Sequence, residues 1–453
     1  MLEIITDYIK KQFYISHKGL IIGYGENILT GKKHIVAIPY DTANRHTYIL
    51  GATGSGKTVL LRNLAYQVIK DGYGLLFFDM KGSNSGSGPL KDIWLACCEA
   101  DRMSDFVYLS PIDNVIPTAT WNPLLHGDAS LVANKLFDAF YNIAANARFY
   151  EDVKFDVLLK LVTCAKSTNR PFTFSTLAEA LSSPEKLVQF GNKAQGKEKE
   201  MILEMAREWK SNPMQFIKNI KGTAVALQRL SMSYPAKIVE TTDPTLNLAE
   251  AIEKRKVIYC LLPTLLAKES MRHIAKMLLS ELKAIAGEIL NYSKKKAKYF
   301  VIIDEFEEFV FPAIKDIFNK AREAGISMVI AHQTLADINY ETESESFSRS
   351  LIDNTTTKIF LQTNSRESAE YFAGIIGEYQ QIPILSKWVK PKYIVPPEIL
   401  MGKNALYEAG LTVGEAIVKI DADIFRVKIP YSHRREKIQM GEDIPYPGKK
   451  QGS

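Results

Sequence analysis

The chain has 453 residues, of which 46% are hydrophobic, 24% charged and 10% aromatic. This composition is typical of a globular protein and excludes a mostly disordered or collagen-like chain. At roughly 150 residues per domain, the length predicts two or three domains, or one core with a large insertion. The 57 lysines and arginines exceed the 51 aspartates and glutamates, so the net charge of +6 permits a nucleic-acid partner without indicating one.

The cysteines and the apolar runs bear on the cellular location. The four cysteines show no C-x-x-C spacing, which argues against a disulfide framework, a zinc knuckle or an iron–sulfur cluster. No targeting segment is visible, and the longest apolar run, Val257 to Ala267, falls far short of the ~20 residues that span a bilayer. We therefore expect a cytoplasmic protein without a membrane segment of its own. If the protein works at the inner face of a membrane, a partner has to hold it there.

Alternating apolar runs and helical spacing predict the first elements. Short strands are predicted at residues 13–15, 20–22 and 35–38. Strands of a buried type follow at 48–50, 74–79 and 106–109, with helices at 59–70 and 90–100 between them. Because strand and helix alternate here, this part predicts a parallel sheet that is covered by helices.

The pattern changes after Pro123. Between residues 124 and 237 no run predicts a strand, and five stretches show helical spacing: 131–146, 153–166, 174–181, 198–210 and 214–231. Prolines near the starts of these stretches are tolerated in the first turn of a helix. The sequence therefore predicts an all-α domain inserted into the α/β core.

The alternation then resumes, with strands predicted at 256–261, 299–304, 327–331 and 358–361, helices at 270–290, 313–324 and 365–376, and hairpins over 405–430. The predicted fold class is α/β with a predominantly parallel sheet. The predicted domains are an N-terminal β segment (1–45), the first part of a nucleotide-binding core (46–123), the inserted all-α domain (124–237), the second part of the core with C-terminal strands (238–430) and a basic flexible tail (431–453).

The strongest motif is the segment from Gly51 to Thr58, which fits G-x-x-x-x-G-K-[ST] between a predicted strand and a predicted helix. That context is typical of a P-loop, in which glycines turn backbone N–H groups toward phosphates at a helix N-terminus. Lys57 would reach the β and γ phosphates of ATP, and the Thr58 hydroxyl would bind Mg²⁺. The predicted ATP-binding residues of this loop are Gly51, Thr53, Gly54, Ser55, Gly56, Lys57 and Thr58.

A second motif ends the predicted strand at 299–304, where two carboxylates follow four apolar residues. The carboxyl ends of such strands bind ligands in α/β sheets. Asp304 would hold Mg²⁺ or its water, and Glu305 would orient and deprotonate the attacking water. The next two carboxylates, Glu307 and Glu308, are predicted to start a solvated helix.

Two further residues complete the predicted catalytic set. Gln333 follows the buried strand at 327–331, where an amide can contact the γ-phosphate and report its presence. Arg322 ends the helix before that strand, and in a ring it could reach a neighbour's nucleotide site as an arginine finger. The segment from Asp79 to Gly82 could line the site or simply make a turn.

Taken together, these motifs resemble the type IV coupling proteins, DNA-pumping ATPases of the HerA/FtsK superfamily. Lys57 and Asp304 are about 250 residues apart, and the helical insertion accounts for that separation. Five short segments carry the resemblance: 46–51, which leads into the P-loop, 79–82, 109–111, 121–124 and 304–305. Two longer stretches add to it, one from residues 322–325 to residues 331–333 and one from residues 353–354 to residues 368–370.

The resemblance implies a RecA-like motor core that assembles as a homohexamer with ATP and Mg²⁺ between subunits. DNA, single- or double-stranded, would pass through the centre and be held by sequence-tolerant contacts. The family's partners would be a relaxase or relaxosome and the type IV secretion channel, with conjugative transfer as the role. Coupling proteins usually begin with transmembrane helices, and the resemblance is therefore to a variant that is expected to lack that anchor.

Three alternatives stay open at this point. One is a HerA-like translocase that acts with a nuclease in DNA repair. Another is a protein-secretion ATPase, whose hydrolysis DNA would not stimulate. The third is a nucleotide-gated adaptor with negligible turnover, in which the helical domain recruits a relaxase–DNA complex.

Overall fold

A computed structural model gives the structure of most of the chain. The residues that it describes are 19–82, 88–112, 116–141, 148–232, 234–293, 295–311, 313–342, 344–379, 392–403, 408–432 and 435. The strand predicted at 13–15 and most of the predicted tail lie outside these residues.

Eleven strands of the described residues form one sheet, and two short strands form a separate pair. The strands are β1 Gly19–Asn27, β2 Lys33–Pro39, β3 Thr47–Leu50, β4 Gly74–Asp79, β5 Phe106–Leu109, β6 Val257–Leu261, β7 Tyr299–Ile303, β8 Ile326–His332, β9 Thr357–Leu361, β10 Glu378–Tyr379, β11 Lys392–Tyr393, β12 Glu415–Ile420 and β13 Asp423–Lys428. The order in the large sheet is β2-β1-β13-β12-β9-β3-β8-β7-β4-β6-β5.

Helices join most of these strands. Those of the described residues are α1 Tyr40–Ala43, α2 Lys57–Lys70, α3 Pro89–Glu99, α4 Ala129–Phe140, α5 Arg148–Ser167, α6 Phe174–Ala180, α7 Pro184–Gly191, α8 Gly196–Ser211, α9 Pro213–Met232, α10 Ala236–Val239, α11 Leu248–Glu253, α12 Thr264–Tyr292, α13 Ile314–Ala324, α14 Leu335–Thr342, α15 Glu345–Asp353, α16 Arg366–Ile376 and α17 Pro397–Leu400. Short 3₁₀ turns cover Met103–Asp105 and Phe306–Phe309. In the described part of the chain, none of the helices is both long and apolar enough to cross a membrane.

The sheet is parallel in its centre and antiparallel on one side. The strands from β9 to β5 in the sheet order run parallel. The strands β2, β1, β13 and β12 add to β9 in an antiparallel arrangement. Every residue of β4 and β8 is buried, which is typical of parallel strands covered on both faces.

Two layers of helices supply that cover. Side chains alternate along a strand, so Leu76 and Phe78 of β4 pack with α12 and the helices of the insertion, whereas Leu75 and Phe77 pack with α2 and α3 on the other face. The predicted α/β class with a mostly parallel sheet is therefore correct.

The helical stretch lies between β5 and β6. Helices α4 to α11 fill it, and no strand occurs among its described residues. No periodic pattern predicts α7, α10 and α11, because helices of eight, four and six residues have too few turns to show a period. The domain boundaries at residues 124 and 237 stay a prediction.

The parallel order brings several loops to one edge of the sheet. Strands β3, β8, β7 and β4 are neighbours, and all four end at this edge. The loops after β3, β7 and β8 carry the P-loop, Asp304 with Glu305, and Gln333.

Candidate nucleotide-binding site

The loop after β3 is tied to its neighbours through its own backbone. The Gly51 N–H donates to the His332 carbonyl at 3.3 Å, and the Ala52 N–H donates to the Gln362 carbonyl at 2.7 Å. A Cβ atom at Gly51 would lie 2.6 Å from Ser55 Oγ, so only glycine fits there. The start of the P-loop is thus fixed against β8 and the end of β9.

The second half of the loop turns into α2 through left-handed backbone. Gly54 and Gly56 have φ angles of 79° and 110°, which favour glycine. The Ser55 hydroxyl is buried and has no hydrogen-bond partner among the described residues. An unsatisfied donor beside a helix N-terminus suits an anionic ligand, so the loop fits a phosphate group.

Lys57 is the first residue of α2, and its side chain folds back over the loop. Its Nζ donates to the carbonyls of Gly51 and of Ala52, the latter at 3.1 Å. Burial lowers the pKa of Lys57, and the nearby Asp304 carboxylate opposes that shift. The ammonium group therefore lies where a phosphate bound to the loop would meet it.

Thr58 and Asp304 meet directly, although 246 residues separate them. The Thr58 hydroxyl donates to Asp304 Oδ2 at 3.2 Å. Hydroxyl and carboxylate oxygens are the ligands that Mg²⁺ takes in nucleotide sites, where phosphates and water complete its shell. No group of three or more His, Cys, Asp and Glu side chains forms a metal site in the described part of the chain. This pair thus fits Mg²⁺ that arrives with a nucleotide.

Glu305 has a strained backbone. Its φ and ψ of 55° and 52° lie in the left-handed region, which non-glycine residues seldom adopt, and the 3₁₀ turn Phe306–Phe309 starts directly after it. Strain of this kind concentrates at functional sites. Burial raises the pKa of Glu305, while Lys81 acts in the opposite direction.

Lys81 belongs to the site. The sequence alone did not decide whether the segment from Asp79 to Gly82 lines the site or only makes a turn. Its Nζ lies 3.2 Å from Glu305 Oε1 and 3.6 Å from Asp304 Oδ2. Burial alone would lower the pKa of Lys81, but the two carboxylates outweigh it and the pKa is raised. No spacing rule connects residue 81 with residue 305, so only the neighbouring strands β4 and β7 reveal this contact.

Gln333 joins the end of β8 to the P-loop. The Thr53 hydroxyl donates to Gln333 Oε1 at 2.9 Å. The predicted sensor residue therefore touches the loop that would hold the phosphates. Its role, like those of the other site residues, stays a prediction.

Glu307 and Glu308 lie in the 3₁₀ turn Phe306–Phe309 and are half-buried, so the predicted helix start is present but is less solvated than expected. Burial raises the pKa of Glu307 to about 8, and its Oε2 has no hydrogen-bond partner among the described residues. Glu308 pairs with Arg272 of α12, with 3.1 Å between Oε2 and the guanidinium. The tight turn after Glu305 carries both side chains back toward the protein.

Arg322 lies at the opposite edge of the sheet. It is exposed in the last turn of α13, immediately before β8 begins. Its carbonyl accepts from Asn44 Nδ2 at 3.0 Å, and Asn44 precedes β3. The seven residues of β8 separate Arg322 from Gln333, a span of roughly 20 Å. Arg322 is therefore not brought together with the P-loop of its own chain.

A cleft of about 1210 Å³ opens above the P-loop. One wall consists of β1 and β2 residues, among them Tyr24 and His34, and the other includes Pro430 and Tyr431. The strand predicted at 20–22 continues through Tyr24 to Asn27, although the glycines that flank Tyr24 favour a turn. Gly23 is needed there since a Cβ atom would lie 2.1 Å from the Lys428 carbonyl oxygen of β13.

The fold and the site define a P-loop protein with a RecA-like α/β core. Residues 27–119 match the family model of the helicase HerA-like C-terminal region, and residues 298–382 match the model of the TraM recognition site of TraD and TraG. The type 4 coupling protein DotL of Legionella pneumophila is 19% identical in an alignment of 402 positions that covers 75% of this chain and 50% of DotL. The chain spans about half the length of this curated relative. These matches confirm the resemblance to type IV coupling proteins.

Solved structures have the same fold. The plasmid coupling protein TrwB in complex with ADP and Mg²⁺ is 17% identical, with a TM-score of 0.64 over 88% of both chains. The unbound conjugative coupling protein TrwBdeltaN70 is 14% identical, with a TM-score of 0.62 over 89% of this chain and 88% of that one. VirB4 of Thermoanaerobacter pseudethanolicus is 14% identical, with a TM-score of 0.55 over 93% and 98% of the chains.

Proposed function

We propose that the protein is an ATP-driven DNA translocase, a coupling ATPase that recruits a relaxase–DNA complex and pumps DNA in conjugative transfer through a type IV secretion system. One observation carries this proposal. The P-loop, the Thr58–Asp304 pair, Glu305 and Gln333 converge at one sheet edge of a fold shared with coupling proteins.

The loop from Gly51 to Thr58 binds the phosphates of ATP through its N–H groups and the Lys57 ammonium. Thr58 and Asp304 hold Mg²⁺, which neutralises phosphate charge when bound. TrwB, the neighbour in fold, was solved with both ADP and Mg²⁺. The buried Ser55 hydroxyl is a further donor for a phosphate oxygen.

Glu305 orients the attacking water and accepts its proton. Its raised pKa makes it a stronger base than an exposed glutamate, because burial destabilises the ionised form. Gln333 contacts the terminal phosphate through its amide. The hydrogen bond from Thr53 connects that amide to the P-loop. Loss of the terminal phosphate would therefore change the contacts of Gln333 at the end of β8.

Arg322 acts on a second copy of the chain. Its position at the far edge of the sheet fits a ring in which each subunit contributes the P-loop edge to one interface and the Arg322 edge to the other. Such head-to-tail contacts close into rings. A homohexamer with ATP at each interface is the assembly that we propose.

DNA passes through the centre of this ring, held by lysine and arginine contacts to its backbone. The matches to coupling proteins and to the HerA-like helicase model support this substrate. The helical stretch from α4 to α11 forms the inserted domain, and we assign it the recognition of the relaxosome. The secretion channel is the partner at the cytoplasmic face of the membrane.

Steady-state ATPase activity with single- and double-stranded DNA, at low and moderate salt, tests the proposal. Lys57→Ala is the blank, because it removes the phosphate-binding ammonium. We expect hydrolysis that DNA strongly stimulates and that salt weakens. Robust hydrolysis that is indifferent to DNA would instead favour a protein-secretion ATPase, and no turnover would favour the adaptor.

A further inference from the structure

We propose that Lys81 is a positioning residue of the site, whose ammonium group holds the Glu305 carboxylate in place beside Asp304. The role deepens the proposed function and rests on it. Lys81 is the second residue after β4, which is the neighbour of β7, and both carboxylates follow β7. None of the motif rules that identify a P-loop site includes this lysine.

The contact geometry supports the role. Lys81 Nζ lies 3.2 Å from Glu305 Oε1 and 3.6 Å from Asp304 Oδ2, so one cation bridges two neighbouring carboxylates. The Asp304 side chain is almost fully buried, and that of Glu305 is only 16% exposed. The two carboxylates carry like charges that repel one another, and the shared ammonium group offsets that repulsion.

The backbone that carries Lys81 is itself held rigidly. Asp79 Oδ1 accepts from the N–H groups of Lys81 at 3.0 Å and Gly82 at 3.3 Å. The Tyr259 hydroxyl donates to the other oxygen of Asp79. Gly82 has a φ of 81°, and a Cβ atom there would lie 2.4 Å from Cβ of Pro263. These contacts hold the turn in the conformation that places Lys81 beside the carboxylates.

The charge of Lys81 matters more than its bulk. Glu305 has a left-handed backbone, and its carboxylate pairs with the ammonium group of Lys81. Without that group, the Asp304 carboxylate would repel the Glu305 carboxylate. Glu305 would then turn away from the water that it has to orient. A misplacement of about 1 Å can lower a rate by roughly 10²-fold while substrate binding persists.

The kinetic test compares Lys81→Met, which keeps the length and loses the charge, with Lys81→Arg, which keeps the charge. We expect Lys81→Met to lower kcat by about 10- to 100-fold with KM within about threefold of wild type. Lys81→Arg should recover a substantial part of kcat. Lys186→Met is the matched control, because it breaks an exposed pair in which Nζ lies 2.6 Å from Glu179.

A second readout needs no turnover. In the protein without nucleotide, Lys81→Met and Glu305→Gln should have strongly non-additive effects on Tm, because each removes one partner of the same ion pair. Binding of a fluorescent ATP analogue should stay within about threefold of wild type in Lys81→Met, since the P-loop is intact.

The outcomes separate this inference from the proposed function. If wild type hydrolyses ATP and Lys81→Met matches its kcat, or if KM rises in step with the loss of kcat, the positioning role is overturned and the ATPase stands. Additive effects on Tm would also overturn it. If wild type neither binds the analogue nor hydrolyses ATP, the proposed function itself fails.

Discussion

Three carboxylates that follow β7 within four residues have three different surroundings. Asp304 accepts from the Thr58 hydroxyl, and Glu305 faces Lys81. Glu307 is half-buried, and its Oε2 is buried without a hydrogen-bond partner among the described residues. Three acidic side chains so close in the sequence thus have different contacts, and burial raises the pKa of the last, Glu307, to about 8.

Glu307 should make stability depend on pH in an unusual direction. Its pKa rises from 4.5 to about 8 on folding, so within that window the folded state keeps a proton that the unfolded state has lost. Stability therefore falls as pH rises between these values, by up to ~1.4 kcal/mol per pH unit. Glu307→Gln cannot ionise and should lose this contribution.

Urea unfolding of wild type and Glu307→Gln from about pH 5 to about pH 8 measures the difference. The variant should gain stability relative to wild type as pH rises. Glu323→Gln, at an exposed position of α13, is the control and should follow wild type. Parallel curves for wild type and Glu307→Gln would contradict the account.

At the scale of elements, a buried ion pair fixes the first helix of the insertion on the core. Lys135 of α4 and Glu281 of α12 lie 2.9 Å apart with side chains that are 1% and 2% exposed. Lys135 Nζ also donates to the His126 carbonyl at 3.0 Å, and Trp121 Nε1 donates to Glu281 at 3.5 Å. Every partner in this group is thus paired.

Breaking the pair from one side should be costly. Lys135→Met leaves Glu281 charged and buried without its cation, which should cost about 3–5 kcal/mol of unfolding free energy. Lys135→Met with Glu281→Met replaces both by apolar groups of similar size and should recover most of that loss. Urea unfolding compares the three proteins. A double variant as unstable as the single one would contradict the role of the pair.

The sequence predicts the elements that depend on local pattern. The strands β4, β6 and β7 are continuous apolar runs, and the P-loop is marked by its glycines. Both features can therefore be recognised in the sequence. The contacts of Lys81 and the burial of Glu307 depend on which strands are neighbours, which no local pattern encodes. The helices α10 and α11 are too short for their sequences to show a helical period.

At the scale of the whole molecule, the sheet separates two sets of the predicted catalytic residues. The P-loop, Asp304 and Glu305 lie where the parallel strands end, and Arg322 lies where β8 begins. Within one chain these groups cannot act together, because the length of β8 intervenes. In the proposed ring of identical chains, the two edges would meet at every interface.

That arrangement is the central claim, and mixed rings test it most directly. Arg322→Ala and Glu305→Gln should each abolish ATP hydrolysis, since an arginine finger is worth roughly 10³–10⁵ in rate. Co-expressed in equal amounts, the two variants should recover up to about a quarter of wild-type activity, because one interface in four pairs an intact Glu305 with an intact Arg322. If both single variants are inactive and the mixture stays inactive although the rings contain both chains, Arg322 does not act on a neighbouring subunit.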